Sequence, residues 1–382
     1  MTRDSKNIKK PNSNSSTVRT RRKMAVFVIE IMIIIAMIGV LYYVMKHTEN
    51  EYDKGPIYAD AQSIDPASIG ISESVVKASE AGGSMEGYTN IALFGVDALS
   101  TNGSDLLKGY RSDTIMIASI NNATGEVSLV SVYRDTYLNL ADKDKDTYNK
   151  CNAAYAKGGA TQAVAMLNSN LDLNITYWVT VSYKALSTVV DDLGGIMINV
   201  ETDEIDHLNN YQIAVAQVLG VSEDEIVPVK ESGYQLLNGM QASAYCRIRY
   251  TSGNDFARTK RQQEVVEAIM EAAKGQDAAT LTNVFSDVMN YTYTSIDEKT
   301  FLNMVLNISD YKIVREGGFP SMELMAGANL PAKGDCVIPM NLEANVIELH
   351  RFLFGDEHYE VSDTVRSYSE SIALDTGSYI RN

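Results

Sequence analysis

The sequence contains few of the residues from which disulfide scaffolds and zinc sites are built. It has three cysteines, Cys151, Cys246 and Cys336, and four histidines in 382 residues. An odd number of cysteines cannot form a complete set of intramolecular bridges, and neither a CxxC pair nor two histidines at ligand spacing occur in the sequence. We therefore exclude a disulfide scaffold and a zinc domain, and we expect the cysteines to be small buried hydrophobes.

Positive charge is also scarce beyond the first 23 residues. The chain has 33 Lys and Arg against 49 Asp and Glu, a net charge of −16. Residues 1–23 hold eight Lys or Arg and one acid, so removing this +7 segment leaves −23 on the remainder. A body this acidic repels nucleic acid, and nucleic acid is not an expected partner. Arginines that cluster within such a body indicate a local anionic ligand.

A long apolar run follows the basic tail. Residues 24–44 contain one charge, Glu30, and 21 residues are enough to span a bilayer as a helix. No small-residue cleavage site follows, and the preceding basic residues favour a cytoplasmic N-terminus. We predict a single-pass protein of the cell membrane whose remaining chain is extracytoplasmic. The predicted parts are a cytoplasmic tail at 1–23, a transmembrane anchor at 24–45, a stalk at 46–86, a folded domain at 87–274, and a C-terminal extension at 275–382 that packs on that domain or follows it.

The folded domain alternates short apolar runs with helical patterns. Two strands are joined by a hairpin turn at residues 122–125, and no repeat period is visible. This mixture predicts an α/β fold with a mixed central sheet and helices on both faces, an α/β/α sandwich preceded by one transmembrane helix. The predicted strands are 90–96, 114–121, 126–133, 177–181 and 196–200, and the predicted helices are 160–171, 183–193 and 258–274.

An arginine-rich stretch stands out at residues 247–263. Arg247 and Arg249 share one face of an extended segment, whereas Arg258, Arg261 and Gln262 share one face of a helix. Guanidinium groups suit phosphate because their planar fork donates two parallel hydrogen bonds. The stretch is therefore consistent with four arginines aimed into one cleft, although a solvated helix paired with acidic residues is the alternative.

Polar residues also stand at the ends of the predicted strands. Asp97 follows the first strand, Arg111 and Asp113 precede the second, and Arg134 with Asp135 follows the third. A hairpin of the second and third strands would bring Asp113 and Arg134 together at its open end. Together with Lys150 and the arginine stretch, these residues form a candidate phosphate and metal site, although each Arg–Asp pair alone is more typical of a salt bridge.

Seven segments in order resemble the LytR-CpsA-Psr family of bacterial cell-envelope proteins. They are FGVD (94–97), YRSDTIM (110–116), SVYRDT (131–136), YNKCNAAYAKGG (148–159), VDDLGGI (190–196), LLNGMQASAYCRIRY (236–250) and DFARTKRQQ (255–263). The resemblance implies that residues 87–274 are a catalytic domain of this family. It implies transfer of an anionic glycopolymer, such as wall teichoic acid or capsular polysaccharide, from undecaprenyl pyrophosphate to peptidoglycan.

The resemblance also implies roles for particular residues. The pyrophosphate would be bound by arginines, with lysine and glutamine assisting: Arg134, Lys150, Arg247, Arg249, Arg258, Arg261, Gln262 and Gln263. Asp97 and Asp113 would hold Mg²⁺ or Mn²⁺, with Arg111 beside them, and an apolar pocket between sheet and helices would take the polyprenyl chain.

The chemistry of phosphoryl transfer fits this set, because arginines and a divalent metal stabilise charge that spreads over the phosphate oxygens. A carboxylate is needed to take the proton of the attacking hydroxyl, and Asp113 and Asp135 are both candidates. The apolar face of helix 160–171 is a candidate lining of the lipid pocket, with core packing as its default role. The alternative function is a membrane-anchored polyprenyl-phosphate binding module, or an envelope regulator, without turnover.

Overall fold

The computed structural model describes residues 57–58, 66–80, 82–96, 109–249 and 254–380. The strands are β1 Ile57–Tyr58, β2 Tyr88–Val96, β3 Ser112–Asn121, β4 Glu126–Val132, β5 Tyr137–Asn139, β6 Tyr148–Lys150, β7 Tyr177–Ser182, β8 Ile196–Val200, β9 Gly233–Leu237, β10 Thr292–Thr294, β11 Lys312–Phe319, β12 Met325–Leu330 and β13 Gly334–Pro339. The helices are α1 Glu73–Ser79, α2 Asn152–Leu171, α3 Tyr183–Asp192, α4 Ile205–Leu219, α5 Gly239–Tyr245, α6 Asn254–Lys274, α7 Ala278–Met289, α8 Glu298–Leu306, α9 Leu342–Phe354 and α10 Asp363–Thr376.

Seven strands form the central sheet, in the order β1-β10-β7-β2-β3-β4-β11. Strands β2, β3 and β4 are antiparallel neighbours, whereas β7 and β11 run parallel to β2 and β4 respectively. The predicted hairpin is confirmed, and its turn contains Gly125 at φ 70°, a left-handed conformation that glycine adopts without strain. The predicted mixed sheet is therefore confirmed.

Helices cover both faces of this sheet. On one face, Phe94 and Ile117 pack against α2 in the largest core cluster, together with residues of α9 and α10. On the other face, Ile91 and Val179 pack with Phe301 of α8. Helix α2 buries the apolar side predicted for 160–171, so that helix has its default role in the core. The sheet thus has the two covered faces that the mixed pattern predicts.

Two predicted boundaries need correction. Residues 66–86, assigned to a polar stalk, place Ile69, Val75 and Met85 in the largest core cluster, because their apolar side chains are buried against the domain. The folded domain does not end at residue 274 as predicted, because β10 and β11 come later in the chain and belong to the central sheet. Strand β10 pairs with β7, and β11 pairs with β4. Strand 196–200 also forms, although it pairs with β9 in a separate two-stranded sheet.

The predicted anchor at 24–45 and tail at 1–23 lie outside the described residues. Among the described residues, no helix has the length and apolar character that a bilayer span requires. All three cysteines are buried and free, which confirms their interpretation as small hydrophobes.

Candidate functional site

The open end of the β3–β4 hairpin carries an ion-pair cluster. Asp113 is the second residue of β3, and Arg134 follows β4 by two positions. Nη1 of Arg134 donates to Oδ1 of Asp113 at 2.5 Å, and Nη2 of Arg249 lies 3.6 Å from Oδ2 of the same carboxylate. The predicted meeting of Asp113 and Arg134 is confirmed, and Arg249 of the 247–263 stretch reaches the same carboxylate.

A second carboxylate extends the cluster. Asp135 accepts from Nζ of Lys150 at 3.1 Å and lies 3.5 Å from Nε of Arg134. Lys150 ends β6, which pairs with β5, so this small ladder aims the lysine at the hairpin end. All three of these side chains are less than one fifth exposed. Their partial burial strengthens the attraction that the cluster exerts on an anion.

Arg258 joins this cluster from helix α6. It is 3% exposed and lines a cavity of about 160 Å³ together with Arg134 and Asp135. The opposite wall of this cavity comes from β13, including Asp335. Strand β13 is held there because the Val337 N–H donates to the carbonyl of Asp135 at 3.0 Å. This wall was not predicted from the sequence, since nothing local in residues 325–339 indicates which strand end they meet.

Arg247 rests on aromatic rings. Its guanidinium carbon lies 4.8 Å from the ring centre of Tyr183 and 5.9 Å from that of Tyr211, which is the geometry of cation–π contacts. Tyr183 opens helix α3 and also lines the apolar cavity described below. These two tyrosines orient the arginine, and neither was found by sequence analysis, because a single tyrosine on a helix gives no signal of a cation above it.

The remaining residues of the arginine stretch diverge. Arg261 forms a buried ion pair with Glu204, with Nε and Oε1 2.5 Å apart. Gln263 donates to Oγ of Ser131 and to the carbonyl of Gly317, at 2.9 and 2.8 Å. Gln262 lines the apolar cavity. The structure thus brings Arg249 to Asp113 and Arg258 to Arg134, and it directs Arg261 and Gln263 elsewhere. Their assignment as pyrophosphate ligands stays a prediction.

An apolar cavity of about 280 Å³ lies between the sheet and helices α3 and α6. Its walls are mainly aliphatic and aromatic side chains of β2, β3, β7, α3 and α6, for example Phe94, Val181, Leu186 and Val266. Asp113 also lines it. The cavity therefore meets the ion-pair cluster at this carboxylate, where an apolar surface adjoins charged side chains.

Two titratable groups beside the site are held in their neutral forms. Burial raises the pKa of the Tyr133 hydroxyl, which adjoins Arg134 on the wall of the 160 Å³ cavity. Burial also raises the pKa of the Cys246 thiol to about 12, with the Glu264 carboxylate adding to the shift. A neutral thiol is a poor nucleophile. This leaves the thiol of Cys246 without a part in the ion-pair cluster, whose carboxylates are those of Asp113 and Asp135.

The two other residues predicted at the metal site are Arg111 and Asp97. Arg111 is exposed at the start of β3, and Asp97 lies outside the described residues. Asp97 follows Val96 in the chain, and Val96 pairs with Ser112, the neighbour of Asp113. Within the part of the chain that the structure describes, no group of three or more acidic, histidine or cysteine side chains is arranged to hold a metal ion.

The fold and its motifs define the class of protein. A model of the LytR_cpsA_psr family matches residues 43–325, which is most of the chain. The chain therefore belongs to the LytR_cpsA_psr family, and the resemblance drawn from the seven segments is confirmed.

Particular relatives show how far the similarity extends. The chain is 31% identical over 210 residues to the polyisoprenyl-teichoic acid–peptidoglycan teichoic acid transferase TagU of Bacillus subtilis, covering 54% of this chain and 60% of that protein. It is 29% identical over 214 residues to biofilm regulatory protein A of Streptococcus mutans, covering 54% and 50%. The matches thus span about half to three fifths of these curated relatives.

A solved structure shares the fold. It is the LytR-CPS2A-psr family protein YwtF (TagT) with bound octaprenyl pyrophosphate lipid, with a TM-score of 0.51 and 19% identity. The match covers 79% of this chain and 97% of that one. At this identity the likeness establishes the architecture, and the site must be judged from its own residues.

Proposed function

We propose that this protein transfers an anionic glycopolymer from a polyprenyl-pyrophosphate carrier to peptidoglycan. The observation that carries the proposal is the position of Asp113, which lies where the apolar cavity meets the arginine cluster. A polyprenyl pyrophosphate has a matching form, with an apolar chain on one side of a charged headgroup. The names of TagU and of the lipid-bound TagT structure support the same substrate class.

The cluster can stabilise the charge of the reacting group. A hydroxyl of the acceptor sugar attacks the phosphorus next to the polymer, a new P–O bond forms, and the P–O bond to the lipid phosphate breaks. Polyprenyl monophosphate leaves, and the proton of the hydroxyl passes to a carboxylate. Arg134 and Arg249 would donate to the phosphate oxygens as charge spreads over them. Asp113 and Asp135 both lie beside these arginines and remain the two candidate bases.

The donor set at Asp113 fits a magnesium ion. Mg²⁺ commonly takes one or two carboxylates and completes its shell with water and substrate phosphate, so it does not need a cage of three acids. Asp113 supplies one carboxylate, and its two oxygens have more lone pairs than the two arginine contacts use. Asp97 is the proposed second ligand. When bound, Mg²⁺ or Mn²⁺ would supply positive charge to the phosphate oxygens.

The proposed location is the cell membrane, with residues 24–45 as the anchor and the folded domain outside. The support is the basic tail before an apolar run of 21 residues. Protease added to intact cells should release the domain, and full protection until the cells are lysed would refute this topology.

The full chain in lipid vesicles is the material for the decisive test. It should be given a radiolabelled glycopolymer on polyprenyl pyrophosphate, peptidoglycan oligomers and Mg²⁺. We expect label to become covalently attached to peptidoglycan as polyprenyl monophosphate is released. A protein that binds the carrier lipid but attaches no polymer under these conditions would be the binding module without turnover.

A further inference from the structure

The ion pair between Glu204 and Arg261 is buried on the far side of the arginine stretch. The side chains are 6% and 7% exposed, and Nε of Arg261 lies 2.5 Å from Oε1 of Glu204. The second carboxylate oxygen of Glu204 accepts from the Glu201 N–H at 2.8 Å. Glu204 is thus fixed by its own short 3-10 helix, Thr202–Glu204, and Arg261 is fixed by Glu204.

Arg261 makes a second contact that links this pair to the phosphate cluster. Its Nη1 donates to the backbone carbonyl of Ile248 at 3.2 Å. Ile248 is fully buried and stands between Arg247 and Arg249. A bond to this carbonyl constrains the peptide that joins Ile248 to Arg249, and with it the direction of the guanidinium that reaches Asp113.

The surroundings of Arg261 separate it from the cluster itself. It lines a groove of about 850 Å³ on the side of helix α6 that faces β8 and β9, together with Glu204 and Tyr245. Arg258 instead lines the cavity shared with Arg134. Among the described residues, these two spaces have no lining residue in common. A guanidinium already held by a buried carboxylate would have to break that pair to reach a phosphate, which is costly.

We propose that Glu204 and Arg261 are positioning residues, which hold the Arg247–Arg249 segment in the geometry that binds pyrophosphate. The inference rests on the proposed function. Gln263 also fixes the position of helix α6, because its side chain donates hydrogen bonds to Ser131 of β4 and to Gly317 of β11. The helix is therefore fastened on two sides, and this arrangement keeps Arg258 and Gln262 at the two cavities.

The test compares two ligands that differ only in their headgroup. Full-length protein in detergent is titrated with geranylgeranyl pyrophosphate and with geranylgeraniol, which has the same chain and no phosphate. Glu204→Gln keeps the size of the side chain and removes its charge. We expect it to weaken pyrophosphate binding about tenfold or more, as for loss of a charge-assisted contact, and to leave alcohol binding unchanged. Glu271→Gln, an isosteric change on helix α6 at an exposed pair with Lys274, is the matched control and should alter neither affinity.

A double variant separates positioning from stability. Glu204→Leu with Arg261→Leu replaces the buried pair by apolar side chains, a change that often restores stability. We expect its thermal midpoint to recover relative to Glu204→Gln while pyrophosphate binding stays weak, because the tether to Ile248 is lost. Recovery of both would make the pair merely structural and overturn the proposal.

Other results are equally decisive. If Arg261 were itself a ligand, Glu204→Gln would free its guanidinium, and pyrophosphate affinity would stay level or rise. Equal weakening for pyrophosphate and alcohol would indicate general damage and would also overturn the proposal. Failure of the proposed function itself would be seen in the unaltered protein, as equal affinity for the two ligands, and would overturn both inferences together.

Discussion

Replacing Asp113 by asparagine should separate binding from transfer. The substitution keeps the size of the side chain and removes the charge that Arg134 and Arg249 contact at 2.5 and 3.6 Å. Both arginines stay in place, and they lose a competing anion. Affinity for a polyprenyl pyrophosphate should therefore stay level or rise slightly. The fold should lose about 1–3 kcal/mol, because the pair is only about one fifth exposed and the change removes the anionic partner of two part-buried arginines.

The transfer step should respond much more strongly. Asp113 is the described carboxylate proposed to hold the metal, and it is one of two candidate bases. Removal of one preorganised electrostatic contribution to a transition state typically lowers kcat by about 10²–10³, or roughly 2.7–4 kcal/mol in the barrier. We therefore expect Asp113→Asn to transfer glycopolymer at about one hundredth of the normal rate or less.

The assay is the vesicle transfer reaction, run beside equilibrium binding of the carrier lipid. Asp142→Asn is the matched control, because Asp142 is also a part-buried, paired aspartate, but its partners are Lys157 at 2.5 Å and Gln162 at 3.1 Å on helix α2. That control should transfer normally. Chelation should abolish transfer by the unaltered protein, and added Mg²⁺ should restore it. Transfer by Asp113→Asn at the normal rate would refute the reasoning.

Three further predictions follow from the cluster, the cavity and the core. Arg249→Lys should weaken pyrophosphate binding by about 1.5–3 kcal/mol in a titration, since an ammonium cannot replace the planar fork, and near-normal binding would contradict this. Val266→Trp should narrow the apolar cavity and weaken binding of long-chain but not short-chain prenyl pyrophosphates, whereas the exposed Ile347→Trp should change neither. Burial lowers the pKa of His350 from 6.5 to about 4, so the unfolded chain takes up the proton first and stability should fall as pH drops from about 6.5 to 4, by up to about 3 kcal/mol. His350→Gln should flatten that part of the unfolding profile, and an unchanged slope would contradict the assignment.

Features set by neighbouring residues in the chain were predictable. The β3–β4 hairpin follows from two apolar runs around a turn that contains Gly125, and the antiparallel pairing then forces residues before β3 to meet residues after β4. Asp113 and Arg134 could be placed together for that reason alone. The same reasoning gave the strands of the mixed sheet, because each one is an apolar run of ordinary strand length.

Features set by distant residues were not predictable in this way. Helical spacing placed Arg258 and Arg261 on one side of α6. It could not show that Arg261 pairs with Glu204 while Arg258 shares a cavity with Arg134. A separation of three residues turns successive side chains by about 60° around the helix axis, which is enough for two neighbours to enter different spaces. The addition of β10 and β11 to the central sheet was hidden for the same reason, because strand pairing across the chain leaves no local pattern.

The charge balance of the cluster explains why a metal would matter for transfer more than for binding. Among the described residues, the site has five cations, Arg134, Lys150, Arg247, Arg249 and Arg258, against three carboxylates, Asp113, Asp135 and Asp335, which leaves two positive charges. A pyrophosphate that links a lipid to a polymer carries about two negative charges, so the resting headgroup is neutralised by the protein alone. At the transition state the negative charge is redistributed onto the equatorial and leaving oxygens. The arginines and the lysine of the cluster already pair with carboxylates, which limits how much of this charge they can stabilise. Additional positive charge at Asp113 would act at that stage, and this is why loss of its carboxylate should spare binding and stop transfer.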